Sequence, residues 1–231
     1  MFSYYGSKSK IVDYYPPPKH KRIIEPFAGS ARYSLKYWEN DVLLLDKYDI
    51  IVKVWNWLKQ CSPNDILKLP EYEKGETIDK TLTDEERYFV AFMCNRGSSR
   101  PHNVAGSYHD VLPIWRNRKK VVANELYKIK HWEIRLGSYD ELENIEATWF
   151  IDPPYQFGGE HYKESNKQID FEKLGEWCKS RNGQVIVCEN SKADWMPFVQ
   201  MINMQGQKAK TTEVIWANHK TNYDNVQVSL F

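Results

Sequence analysis

Short apolar runs alternate with stretches of helical spacing along most of the 231 residues. Ile23 and Ile24, residues 42–45, 132–136, 149–151 and 184–189 each read as a buried strand, because a brief apolar run bounded by turn residues fits a sheet interior. Between these runs, apolar positions recur three and four apart. Ala31, Leu35 and Trp38 form one such stripe behind Ser30, a good N-cap, and Ile50, Ile51, Val54, Trp55 and Leu58 form another. Residues 171–179 and 195–202 are expected as two further helices, and residues 213–216 and 226–231 as closing strands. Strands that alternate with helices predict an α/β fold with a mostly parallel sheet.

The alternation stops near Ser62 and resumes at Trp132. The intervening 60–131 stretch is expected as a small, mostly helical insert that divides the main domain into residues 1–59 and 132–231. Within it, Thr83 and Glu86 have the spacing of a capping box ahead of Phe89, Val90, Phe92 and Met93. Residues 97–103 read as a loop. The basic run from Arg116 to Lys120 introduces a second helix through Leu126 and Ile129.

Charge sharpens the picture of the insert. Residues 60–86 carry eight acids against three lysines, whereas residues 87–137 carry ten Lys and Arg against three acids. The acidic part reads as a solvated, salt-bridged surface. The basic part fits either an unpartnered surface patch or a face turned toward a polyanion, with Arg100, Arg116, Arg118, Lys119 and Lys120 as its cations. The apolar runs are far too short to cross a bilayer, and the first ten residues lack the apolar core of a secretory signal, so a cytoplasmic location is expected. Cys61, Cys94, Cys178 and Cys188 form no C-x-x-C pair and the histidines are scattered, so reduced, mostly buried thiols and no metal site are expected.

Three stretches carry chemistry. The first strand leads into Glu25-Pro26-Phe27-Ala28-Gly29-Ser30 and a helix, the opening of a nucleoside-binding α/β unit, with Gly29 allowing the backbone close to a ligand. No second or third glycine follows to wrap a pyrophosphate, and Glu25 would repel one, which disfavours a nicotinamide or flavin dinucleotide. Asp46 ends the second strand seventeen positions beyond Gly29, near where such folds place the acid that holds a ribose. Asp152-Pro153-Pro154-Tyr155 closes the strand at Trp149-Phe150-Ile151. Its prolines fix φ and push the residue before each into extended backbone, giving a stiff loop that holds a carboxylate, free carbonyls and an aromatic ring at the sheet mouth. Alone, this segment reads better as a strand cap, in which Asp152 satisfies backbone N–H groups and Tyr155 is partly buried. A polar stretch with Gly158 and Gly159 follows, a candidate lid over residues 156–168.

Taken together, Tyr4-Tyr5-Gly6-Ser7-Lys8, the Glu25 to Ser30 turn, Asp46, Ser138-Tyr139 and Asp152-Pro153-Pro154-Tyr155 resemble the Dam-like DNA adenine methyltransferases, in the family's motif order over nearly the whole chain. The resemblance implies a Rossmann-like S-adenosylmethionine-dependent methyltransferase fold, with a seven-stranded sheet, an antiparallel C-terminal strand and a DNA target-recognition insert. It implies S-adenosylmethionine as cofactor, S-adenosylhomocysteine as product and double-stranded DNA as substrate, in a prokaryotic or phage-infected cell. No membrane or obligate protein partner is implied, and the chain is expected as a monomer or weak dimer. By position, Tyr4, Tyr5, Gly6, Lys8, Glu25, Phe27, Ala28, Gly29, Ser30, Asp46, Ser138, Tyr139 and Asp152 would bind the cofactor. Asp152, Pro153, Pro154 and Tyr155 would receive the adenine. Arg96, Ser98, Ser99, Arg100, His102, Asn103, Arg116, Arg118, Lys119 and Lys120 would meet the nucleic acid. Cytosine, an RNA base and a catalytically silent DNA-binding role stay open as alternatives, because the loop asks only for a planar amino group.

Overall fold

The computed structural model of the chain describes residues 1–106, 111–205 and 210–223. A seven-stranded sheet runs in the order β3-β2-β1-β4-β5-β7-β6, built from β1 (Arg22–Glu25), β2 (Asp41–Asp46), β3 (Glu133–Leu136), β4 (Ala147–Ile151), β5 (Gly183–Asn190), β6 (Val199–Gln205) and β7 (Lys210–Ala217). The first five strands are parallel, and β7 lies antiparallel between β5 and β6. This is the Rossmann-like α/β class expected from the sequence. The strand order departs in opposite directions from β1 and β4, so a crevice opens at their carboxyl ends, where open α/β sheets bind ligands.

Strand β4 shows why the sheet reads as continuous apolar runs. All five of its residues are buried. Phe150 joins the hydrophobic cluster on one face, while Trp149 and Ile151 join the cluster on the other, as the twofold alternation of side chains requires. The first face is covered by α2 (Asp49–Gln60), and the second by α6 (Phe171–Lys179).

Residues 60–131 contribute α3 (Pro63–Lys68), α4 (Asp84–Cys94), α5 (Val111–Glu125) and a 3-10 turn. Their apolar residues are continuous with the main core: Phe89 packs on Trp57 and Trp115, in the same cluster as Phe2, Trp55 and Trp132. The expected capping box holds α4, with Thr83 N–H donating to Glu86 Oε2 at 2.9 Å. A second box, Ser62 with Asp65, starts α3. That short helix escaped the pattern because Pro63 and Pro70 read as breaks, although proline is well suited to a first helical position.

Three expectations are corrected. Residues 195–202 do not form a helix; Pro197 cannot continue one, and Val199, Met201 and Ile202 pack on the core from β6, which carries an irregularity between Gln200 and Ile202. The helix behind Gly29 is a single turn, α1 (Arg32–Lys36), and its N-cap is Ala31 at φ 44°, not Ser30. Helix α5 begins at Val111, so the Arg116 to Lys120 run lies along it instead of introducing it. The closing strand expected at 226–231 falls outside the described residues. Among those described, no helix is long and apolar enough to cross a membrane.

Candidate active site

The ends of β1, β2 and β4 converge on one cleft of about 950 Å³, open solvent at its mouth included. All thirteen residues expected to bind the cofactor line it: Tyr4, Tyr5, Gly6, Lys8, Glu25, Phe27, Ala28, Gly29, Ser30, Asp46, Ser138, Tyr139 and Asp152.

The glycine turn is held from below by hydrogen bonds. Ala28 N–H donates to Leu45 O at 3.0 Å, and Trp55 Nε1 donates to Gly29 O at 2.9 Å. Gly29 itself adopts φ 44°, in the left-handed region where a side chain is strained. Its N–H donates to Asp46 Oδ2 at 2.9 Å, and Tyr48 N–H donates to Asp46 Oδ1 at 2.9 Å. Asp46 thus ties the ends of β1 and β2 together and keeps lone pairs for hydroxyl groups in the cleft. Beside it, the rings of Phe27 and Tyr139 lie 5.6 Å apart at 32°, a flat apolar wall.

Opposite this wall, Asp152 follows the last residue of β4. Lys8 Nζ lies 2.8 Å from its Oδ1. Burial pushes the Asp152 carboxyl up to about 6, against the pull of Lys8. Pro154 lines the cleft with it, while Pro153 is buried behind and Tyr155 points away from the cofactor side. Tyr155 Oη donates to Glu213 Oε1 at 2.5 Å, and Lys8 Nζ sits 4.6 Å from the ring centroid. Immediately after Tyr155, Gln156 N–H donates to Glu189 Oε1 at 2.6 Å, and Glu189 also accepts from Trp195 Nε1 and Asn190 N–H. Glu189 therefore fixes the direction in which the Asp152 loop leaves the sheet.

The candidate lid is folded onto the cleft. Tyr162 packs on Tyr4 and Tyr5 and donates its hydroxyl to Tyr5 O at 3.3 Å; a Cβ at Gly6 would come within 2.0 Å of that hydroxyl.

The residues expected to meet nucleic acid fall into two groups. The loop of Ser98, Ser99, Arg100, His102 and Asn103 docks on the cleft rim: Tyr5 N–H donates to Ser98 O at 3.1 Å, and Ser99 Oγ donates to His161 O at 2.6 Å. Arg96, Arg100, His102 and Lys120 are exposed, and Arg118 is half-buried. Lys119 and Arg116 both pair within the protein, the first buried and the second exposed. Lys119 is 5% exposed, with Nζ 2.8 Å from Leu69 O and 3.2 Å from Glu71 Oε1, and Arg116 donates twice to Glu71 Oε2. These two cations fasten α5 to the segment after α3.

Glu213, Tyr15, Glu189 and Tyr162 were not singled out from the sequence. Glu213 lies within β7, ahead of the apolar Val214, Ile215 and Trp216, and nothing local marks an acid that is buried in the core. All four cysteines are buried free thiols. Among the described residues, no three His, Cys, Asp or Glu side chains are grouped to hold a metal ion.

The fold and cleft define a Rossmann-like α/β protein with an open cleft at the switch point of its sheet. No protein-family model and no curated protein matches the chain. Among solved structures, it is similar to one described as "Putative methyltransferase yhhF from Escherichia coli", with a TM-score of 0.35 and 7% identity, over 90% of this chain and 78% of that one.

Glu25, which is buried, and Asp46 and Asp152, which are partly buried, bring three carboxyls to the cleft wall, and desolvation pushes Glu25 up to about 8 and Asp46 up to about 6. Of the cations that line the cleft, Lys8 is held by Asp152, Arg32 donates to Phe2 O and Ser7 Oγ, and Lys47 is exposed with Glu164 3.9 Å away. Burial thus favours the protonated form of these carboxyls, which can donate as well as accept hydrogen bonds in the cleft. Replacing Asp46 with alanine is expected to raise the dissociation constant of a nucleoside cofactor about tenfold, the scale of a lost charge-assisted hydrogen bond. Calorimetric titration with S-adenosylmethionine measures it, and an unchanged constant removes Asp46 from the site.

Proposed function

We propose that this protein is an S-adenosylmethionine-dependent methyltransferase that acts on the N6 amino group of a flipped-out adenine in DNA. One observation carries the reading: Asp152, on a stiff loop at the end of β4, opens onto the same cleft as the Gly29 turn and Asp46. The adenine assignment rests further on the motif resemblance.

S-adenosylmethionine fits the residues present, since it is a phosphate-free nucleoside with a cationic sulfonium. Gly29 allows close approach of its methionine portion, Asp46 suits its ribose, and the Phe27 and Tyr139 rings suit its adenine. When bound, it supplies the methyl group.

The chain's own residues do the rest. An exocyclic amine is a weak nucleophile because its lone pair is delocalised into the ring. With its two N–H bonds donated to Asp152 and to the Pro153 carbonyl, the lone pair is drawn back onto nitrogen and aimed across the cleft. Orientation of this kind supplies about 7–11 kcal/mol of a barrier. A base inside a duplex cannot reach the loop, so it must leave the stack at a cost of about a few kcal/mol, offset by these bonds and by stacking on Tyr155. The rim loop with Arg100 and the exposed Arg96 and Lys120 offers cations for the phosphate backbone.

The test is incubation with labelled cofactor and mixed-sequence DNA, followed by mapping of the modified base and its flanks. N6-methyladenine in one sequence context is the expected product. Label on cytosine overturns the choice of base, label on RNA alone overturns the choice of polymer, and cofactor binding without transfer to either indicates a silent relative.

A further inference from the structure

Behind the Asp152 loop lies a second buried carboxylate. Glu213 on β7 is 3% exposed, and its Oε1 accepts from Tyr15 Oη at 2.6 Å as well as from Tyr155. Lys8 stands between the two acids, with Nζ 2.8 Å from Asp152 Oδ1 and 3.8 Å from Glu213 Oε1. The same ammonium rests over the Tyr155 ring. It therefore holds both features that the target amine requires, a donor seat on Asp152 and a face of Tyr155.

A base amine that takes the Oδ1 seat of Asp152 and the same face of Tyr155 displaces Lys8 from them. Lys8 is 7% exposed, so an ammonium pushed off Asp152 has little water to receive it and needs another acceptor. Glu213 is the acid already within ion-pair range. Its two phenol donors keep its carboxylate fixed in place, so a short swing of a flexible four-carbon side chain is enough.

Building on the methyltransferase reading, we infer that Glu213 is a positioning residue, the second seat to which Lys8 moves when the base enters. In the base-free protein Lys8 guards Asp152; with the base bound, the Lys8 and Glu213 pair forms one wall behind it. Lysine remains an ammonium throughout, so no proton changes hands.

The experiment uses the full chain, S-adenosylhomocysteine and duplex DNA of the mapped sequence with 2-aminopurine at the target position, whose fluorescence rises on extrusion. An alkaline buffer keeps both acids ionised in variants lacking the lysine. Lys8→Met is expected to raise the extruded fraction several-fold, because the competing donor is gone. Glu213→Gln is expected to lower it several-fold, because Lys8 has lost its second seat. The double variant is expected to match Lys8→Met, since Glu213 acts only through Lys8; a structural role for Glu213 would persist in that background. If Glu213→Gln does not fold, Tyr15→Phe replaces it. Freeing Glu213 of one donor should then raise extrusion, and only when Lys8 is present. Extrusion unchanged or lowered in Lys8→Met, or an effect at position 213 or 15 that survives loss of Lys8, overturns this inference alone. No methyl transfer by the wild type to any DNA removes the functional reading and this inference with it.

Discussion

Replacing Asp152 with alanine should cut the rate of methyl transfer by about 10²–10³, the scale seen when one preorganised hydrogen-bond partner is removed from a reacting centre. Binding of DNA should be nearly unchanged, because the rim cations do not depend on Asp152. The fold should survive, since Lys8 keeps Glu213 as a neighbouring acid. Single-turnover assays with labelled cofactor, beside DNA binding and a thermal melt, separate these effects. Substantial transfer by the variant would sink the assignment of Asp152 as acceptor of the amine.

The largest effect on stability is expected at Gly183, the first residue of β5. It adopts φ 92°, and a Cβ there would lie 2.3 Å from Ala147 O and 2.8 Å from Ala147 N. Both atoms are backbone at the start of β4, the strand that carries Asp152, and neither can rotate away. Backbone strain and overpacking together should cost Gly183→Ala about 3–5 kcal/mol. In a chain of this length that lowers the melting temperature by about 6–20 °C. A melt within about 2 °C of wild type would show that the pairing of Gly183 with Ala147 shifts at little cost.

How much of this site was legible beforehand depended on how far apart its parts lie in the chain. The Gly29 turn and Asp46 are joined by a direct bond, Gly29 N–H to Asp46, and both belong to one strand, helix, strand unit whose geometry is repetitive. The stiffness of the Asp152 loop follows from its own prolines. The Tyr15 to Glu213 bond spans 198 positions, and no local pattern encodes it. Lys119 shows the converse: a lysine in a basic run looks exposed until the helix phase places it over Leu69 and Glu71. At 195–202 the apolar spacing suited a helix and a strand alike, and pairing with β7 decided for the strand.

By itself the sequence determined the alternation of strands and helices, the glycine turn, the stiff carboxylate loop and the capping box of α4, all set by backbone restriction and side-chain period over a few residues. The tertiary structure alone decided which charges meet. It put Lys8 between Asp152 and Glu213, spent Lys119 and Arg116 on Glu71, and merged the 60–131 helices into the main core. The physical reason is that desolvation and ion pairing depend on distances between groups remote in the chain, which only the packed sheet brings within a few ångströms.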